Sequence, residues 1–268
     1  MSLNLFKKYG QAFLEAKARE WGLLDQNATI FVQRMLCSNL DLSNQALGDV
    51  ILGSRKPRSE DSLTEKDNRV ADALNRNIMP KLEKAGCPKG NWKVTRNWLH
   101  ETVFSEWVKP FAWQELWALT KPNPDIAVEI MEIKTASSHL PPDDYEPYQI
   151  PIGANVRYQI PMAANEYLIL LEKDGNGDIF CLQPSRYQKY KVGEPVATSE
   201  LIAIVSPEKP AVDWWEAAAS AKGFLPMQHQ QLEALMNWTN NARNDCRLWQ
   251  FEVEIVMPKI EPVVTVTF

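Results

Sequence analysis

The hydrophobic pattern of this chain changes period at Lys121-Pro122-Asn123-Pro124. Before that point apolar side chains recur at helical spacing. After it they alternate or form short unbroken runs, the signatures of strands with one or two covered faces. Two prolines in four residues disfavour helix at the junction itself, because the residue before a proline is pushed toward extended backbone. The pattern therefore predicts a helical part joined to a β part, with the joint at 121–124.

On the helical side, Phe6, Tyr9, Phe13 and Ala16 form one stripe of a helix over 3–20. A second helix is predicted over 28–38, with Asn27 as its cap. A third runs from Asn44 to Leu52, capped by Ser43 and stopped by Gly53. Ser62-Leu63-Thr64-Glu65 has the spacing of a capping box and opens a helix to about Ala85. That helix carries Val70, Leu74, Ile78 and Leu82 on one face, and Pro80 is expected to kink or split it. After a turn at 86–90, a last amphipathic helix over roughly 95–108 carries Leu99, Val103 and Trp107.

On the β side, strands are predicted at 126–134, 156–160, 167–172, 179–182 and 201–205. The runs Tyr167–Leu171 and Leu201–Val205 have the unbroken apolar character of central strands. Helices are expected from Trp214 to Lys222, stopped by Gly223, and from Pro226 through Leu232, Leu235, Met236 and Thr239. A closing strand alternates Trp249, Phe251, Val253 and Ile255 with Gln250, Glu252 and Glu254. The expected fold class is α+β: a helical N-terminal module over 1–120, with a winged helix as one form of it. A mixed, β-sandwich-like domain with two helices follows over 125–268.

Charge divides along the same line. The net charge is −5 overall, but +3 over residues 1–120 and −8 over the rest. A nucleic acid would therefore meet the first module, because the acidic half repels phosphates. The longest apolar runs are far short of a bilayer span. No apolar segment of signal-peptide type follows the amphipathic start. Cys37, Cys87, Cys181 and Cys246 are far apart with no C-x-x-C pair, and none of the three histidines stands at ligand spacing from a cysteine. These features predict free thiols and cytoplasmic residence, with no metal, cofactor or membrane partner.

Three local patterns carry chemistry on paper. Residues 28–52 have the outline of a helix-turn-helix. Arg55, Lys56 and Arg58, then Lys89, Lys93 and Arg96, form the basic surface such a motif would lay on phosphates. The acid-free stretch Lys84–Arg96 would serve as a wing. Asp174-Gly175-Asn176-Gly177-Asp178 imitates the start of a calcium loop, but Ser185 stands where the bidentate glutamate belongs, so a hairpin turn is expected. Asp125 with Glu132-Ile133-Lys134 matches the metal-nuclease pattern PD…(D/E)xK. On one unbroken strand, residues seven apart point to opposite faces and cannot share a metal. There is no G-x-S-x-G, P-loop or H-E-x-x-H, so no catalytic residue is nominated. The pair Trp214-Trp215 is expected mainly as core packing, one ring on the sheet and the other over the adjacent helix or a ligand.

The stretch Glu166–Ser185, with its Asp174/Gly177 turn and Leu182/Pro184 ending, then Leu201–Ser206 and Asp213-Trp214-Trp215, resembles the domain of unknown function 4384 family in its cyanobacterial form. The resemblance covers roughly residues 125–257. It implies a β-sandwich-like accessory domain without established catalytic residues, usually appended to an effector or sensing module. More weakly, Leu42–Ala46 and Lys93–Leu99 are similar to the winged-helix-like modules at the start of some cyanobacterial multidomain proteins. The functional expectation is a non-enzymatic adaptor or regulatory protein whose β domain binds a protein or peptide partner. The alternatives are a DNA-binding regulator and, more distantly, a metal-dependent nuclease.

Overall fold

The structure is a computed structural model that describes residues 4–39, 41–52, 69–133, 148–182, 190–220, 224–241 and 245–258. The chain divides into two compact units, residues 1–109 and 110–268. The division falls inside a helix, Phe104–Trp117. The predicted junction residues Lys121 and Pro122 instead form a two-residue strand. The fold is α+β, with helices in the N-terminal half and mixed and antiparallel sheets in the C-terminal half.

The first unit is built from α1 (Leu5–Glu20), α2 (Asp25–Met35), α3 (Asn44–Leu52), α4 (Met79–Lys84), α5 (Trp92–Trp98) and the start of α6 (Phe104–Trp117). The Asn4 side chain caps α1, and Ser43 Oγ accepts from the Ala46 amide at 3.1 Å to open α3. The predicted cap Asn27 lies inside α2, which starts at Asp25 without a side-chain cap. Val70, Leu74, Ile78 and Leu82 are all buried, as their shared face requires. Spacing of four drifts around an α-helix of 3.6 residues per turn. Here residues 73–78 form a π-helical segment, whose wider turn counters that drift. Pro80 does not split the helix. It follows directly on the π-helical segment, a distortion of the hydrogen-bond ladder that accommodates its missing N–H. The helix predicted over 95–108 is longer than its apolar stripe suggested. α5, a second π segment (Leu99–Val103) and α6 cover 92–117. The capping box at 62–65 and the stop at Gly53 lie outside the described residues.

The second unit holds ten described strands and two further helices. The strands are β1 (Lys121–Pro122), β2 (Ala127–Ile133), β3 (Gln149–Pro151), β4 (Ala154–Gln159), β5 (Tyr167–Lys173), β6 (Ile179–Leu182), β7 (Tyr190–Lys191), β8 (Thr198–Ser206), β9 (Phe224–Pro226) and β10 (Arg247–Val256). The helices are α7 (Trp215–Ser220) and α8 (His229–Asn241). One sheet runs β1-β10-β8-β5-β6-β9, with β3 also on β10; the other runs β2-β4-β7. β1 and β3 lie parallel to β10, and the remaining pairs are antiparallel. Pro122 is tolerated because β1 is an edge strand. Pro226 ends the edge strand β9 rather than starting a helix; α8 begins at His229.

The two apolar runs occupy the middle of the larger sheet. In β8, Leu201, Ile202, Ala203, Ile204 and Val205 are all fully buried, so both faces are covered. One face, through Leu201 and Ala203, shares a core with Leu170 of β5, Phe251, Val253 and Ile255 of β10, and Ala154, Val156 and Tyr158 of β4. Buried residues of both sheets thus share one core. Trp214 and Trp215 are both buried, so neither ring is available to cover a ligand.

The expected hairpin at 174–178 joins β5 to β6. Asp174 Oδ1 accepts from the amides of Asn176 and Asp178, each at 2.9 Å. Two glycines serve it for different reasons. Gly177 has φ +86°, a conformation that L side chains rarely adopt. At Gly175 a Cβ would stand 2.2 Å from the Ala197 Cβ. Gly175→Ala is therefore expected to destabilise the protein by about 1–3 kcal/mol through overpacking. Its thermal melting temperature against wild type checks this, and an unchanged midpoint refutes the close approach. Among the described residues no helix is long and apolar enough to cross a membrane.

Candidate functional site

The basic residues picked out by sequence do not form one described surface. Arg55, Lys56 and Arg58 lie outside the described residues. The stretch expected as a β-wing contains no strand: it turns and bends over 85–91 and enters α5. Lys89 is exposed in the bend, Lys93 is exposed on the first turn of α5, and Arg96 is half-buried on the same helix. The reason is local. Asn91 Oδ1 accepts from the amides of Lys93 and Val94, which starts a helix there.

The nuclease pattern requires a different account from the one expected. Asp125 stands in a turn before β2, with its amide bonded to Asn123 Oδ1 at 3.0 Å. The pairing register of β2 also shifts between Ile130 and Glu132. Simple alternation therefore does not relate Asp125 to Glu132. Lys134 lies outside the described residues. Among the described residues no group of three or more His, Cys, Asp or Glu side chains is placed to hold a metal ion.

A cleft in the β unit has a volume of about 370 Å³ and is walled by aromatic rings. Tyr158 of β4 and Tyr190 of β7 stand with ring centroids 5.8 Å apart. Phe180 of β6 and Phe224 of β9 meet edge to face at 5.2 Å. Phe224 is 59% exposed and is the outermost of these rings. Strand pairing explains how they assemble. β4 pairs with β7, with Val156 opposite Tyr190, and β6 pairs with β9, with Leu182 opposite Phe224.

Among these rings lies the half-buried carboxyl of Glu172, on β5. Desolvation raises its pKa above the ordinary glutamate value, and the nearby Asp174 adds to the rise. A hydrogen bond donated by the buried Ser199 hydroxyl works against it. Among the described residues Asp174 and Glu194 also line the cleft, against one cation, Lys191. Burial pushes both tyrosine hydroxyls well above their usual range, so they remain neutral donors. Burial also pushes the Cys181 thiol up to about 12, which leaves it a poor nucleophile. Among the described residues the site offers apolar walls, neutral hydroxyls and surplus negative charge, and no base paired with an activated nucleophile.

None of these cleft residues was nominated from the sequence. Glu172 offered the one available signal, an acid at the end of the apolar run Tyr167–Leu171. Two of the rings, Tyr190 and Phe224, come from edge strands of two and three residues, too short to show a period. No family model, curated protein or solved structure matches the chain.

Proposed function

We propose that this chain is a non-enzymatic adaptor or regulatory protein whose β unit captures a protein or peptide partner by a basic side chain. The observation that carries this reading is the desolvated Glu172 carboxyl between aromatic walls. Tyr and Phe faces attract a cation and cover its apolar stem, and a partly dehydrated carboxylate completes the pair. The two sheets that share a core also support the β-sandwich-like reading and the resemblance to the domain of unknown function 4384 family.

A peptide array displaying lysine, arginine or norleucine at one central position tests the proposal. Lysine or arginine peptides are expected to bind and norleucine peptides to fail. Glu172→Gln should weaken the selected peptide by about tenfold or more, the size of a lost charge-assisted contact. Affinity should also fall as pH drops through a range above that of an ordinary glutamate, because protonation removes the negative charge. Stability has the opposite sign. A carboxyl whose folded pKa is raised stabilises the fold at low pH, and that contribution is lost as pH rises through the raised value. Glu172→Gln should therefore not destabilise the protein near neutral pH, so lost binding cannot be ascribed to unfolding. Equal binding of lysine and norleucine peptides, or an unaltered affinity in Glu172→Gln, overturns the reading.

A further inference from the structure

Arg34 belongs to the middle of α2's last turns and is 97% buried, with a relative exposure of 3%. Its Nη1 donates to the Leu42 carbonyl at 2.7 Å and its Nη2 to Asn44 Oδ1 at 2.5 Å. Its guanidinium stands 4.8 Å from the centroid of the Trp92 ring. Nε is buried without a hydrogen-bond partner, and among the described residues no carboxylate pairs with this cation. Among the described residues this buried charge faces neutral dipoles and an indole, which is costly, and an anion is the group that would relieve it.

The surroundings are built to receive one. Arg34 lines a cleft of about 560 Å³ together with Ser43, Asn75, Trp92 and Lys93. Lys93 Nζ lies 5.8 Å from the same Trp92 ring, so one indole holds two cations at the cleft. Ser43 Oγ accepts from the Ala46 amide, which leaves its own hydroxyl hydrogen to donate. Asn75 is exposed and lies in the π-helical segment, a distortion found often at functional sites. Among the described residues the one acid lining the cleft, Asp41, is exposed. Two cations and two neutral donors suit a tetrahedral, multiply charged oxyanion better than a single carboxylate.

We infer that this cleft is a phosphate site, in which Arg34 and Lys93 supply the charge and Ser43 and Asn75 supply neutral hydrogen bonds. The phosphate could belong to a small phosphorylated ligand or to a nucleic-acid backbone. The site is separate from the aromatic cleft of the β unit and does not depend on the function proposed for it.

Isothermal titration of the full chain with inorganic phosphate and with pyrophosphate tests the assignment. Saturable binding is expected. Lys93→Glu, an exposed change that leaves the fold intact, should weaken it at least about tenfold. Arg34→Met should abolish it, and Glu172→Gln should leave it unchanged. A second arm titrates a short DNA duplex with and without competing phosphate. Duplex binding that phosphate displaces assigns the site to backbone phosphates; phosphate binding without duplex binding assigns it to a small ligand. Absence of phosphate and pyrophosphate binding, equal binding by Lys93→Glu, or duplex binding that phosphate does not compete, each overturns the inference.

Discussion

Trp113→Ala is expected to cost about 3–5 kcal/mol of folding stability, the range for truncating a buried large aromatic. Trp113 is 1% exposed, and its indole Nε1–H donates to Glu200 Oε2 at 2.5 Å. Lys173 Nζ reaches the same oxygen at 2.8 Å and stands 5.9 Å from the Trp113 ring centroid. One carboxylate on β8 thus serves a neutral donor and a cation at once. Three variants separate packing from polar pairing. Trp113→Phe keeps most of the packing and loses the donor, so about 1.5–3 kcal/mol is expected, in line with a lost hydrogen bond to a charged group. Glu200→Ala leaves a buried N–H without its acceptor, at about 1–3 kcal/mol. Urea denaturation of the whole chain should rank Trp113→Ala as the most damaging of the three. Equal losses in Trp113→Ala and Trp113→Phe would show that the ring's volume matters little.

Phe104→Ala should reach a similar size, about 3–5 kcal/mol, in the helical unit. Phe104 is 1% exposed and meets Phe6 and Phe13 edge to face, at 4.8 and 5.2 Å between centroids. Its ring also stacks offset beside Trp107 at 6.4 Å. Each such pair contributes about 0.5–1.5 kcal/mol beyond the area it buries, so aliphatic replacement is not innocuous. Phe104→Leu is expected to lose roughly 1–2 kcal/mol, since it retains volume but not the edge-to-face contacts. Phe224→Ala is the comparison: its ring is mostly exposed and makes one edge-to-face pair, with Phe180, so its loss should be about 0.5–1.5 kcal/mol, well below that of Phe104→Ala. Thermal and urea melts of the three variants check this order. A Phe104→Ala protein as stable as Phe224→Ala would remove the aromatic cluster from the account of what holds this unit together.

The elements legible in the sequence were those whose signal is local or periodic. Val70, Leu74, Ile78 and Leu82 share a buried face, Ser43 caps α3, Asp174 closes a hairpin, and the two apolar runs occupy the middle of a sheet. The π segments were not legible, because a wider helical turn changes only which residues meet and leaves the composition ordinary. The short strands β1, β3, β7 and β9 were missed for a related reason. Two or three residues carry no period, and each exists only because a longer neighbour offers it unpaired hydrogen-bonding groups.

Both candidate sites belong to that second category. Arg34 reads as an ordinary helical arginine until the turn before α3 brings the Leu42 carbonyl, α3 brings Asn44 and α5 brings Trp92. Glu172 reads as the polar end of a strand until β4, β6, β7 and β9 place rings around it. The change of hydrophobic period by itself determined that helices would precede sheets, because burial of alternate or every-fourth side chains is a local demand. What surrounds a charge was decided only by the tertiary structure, because desolvation is set by the neighbours that arrive from elsewhere in the chain.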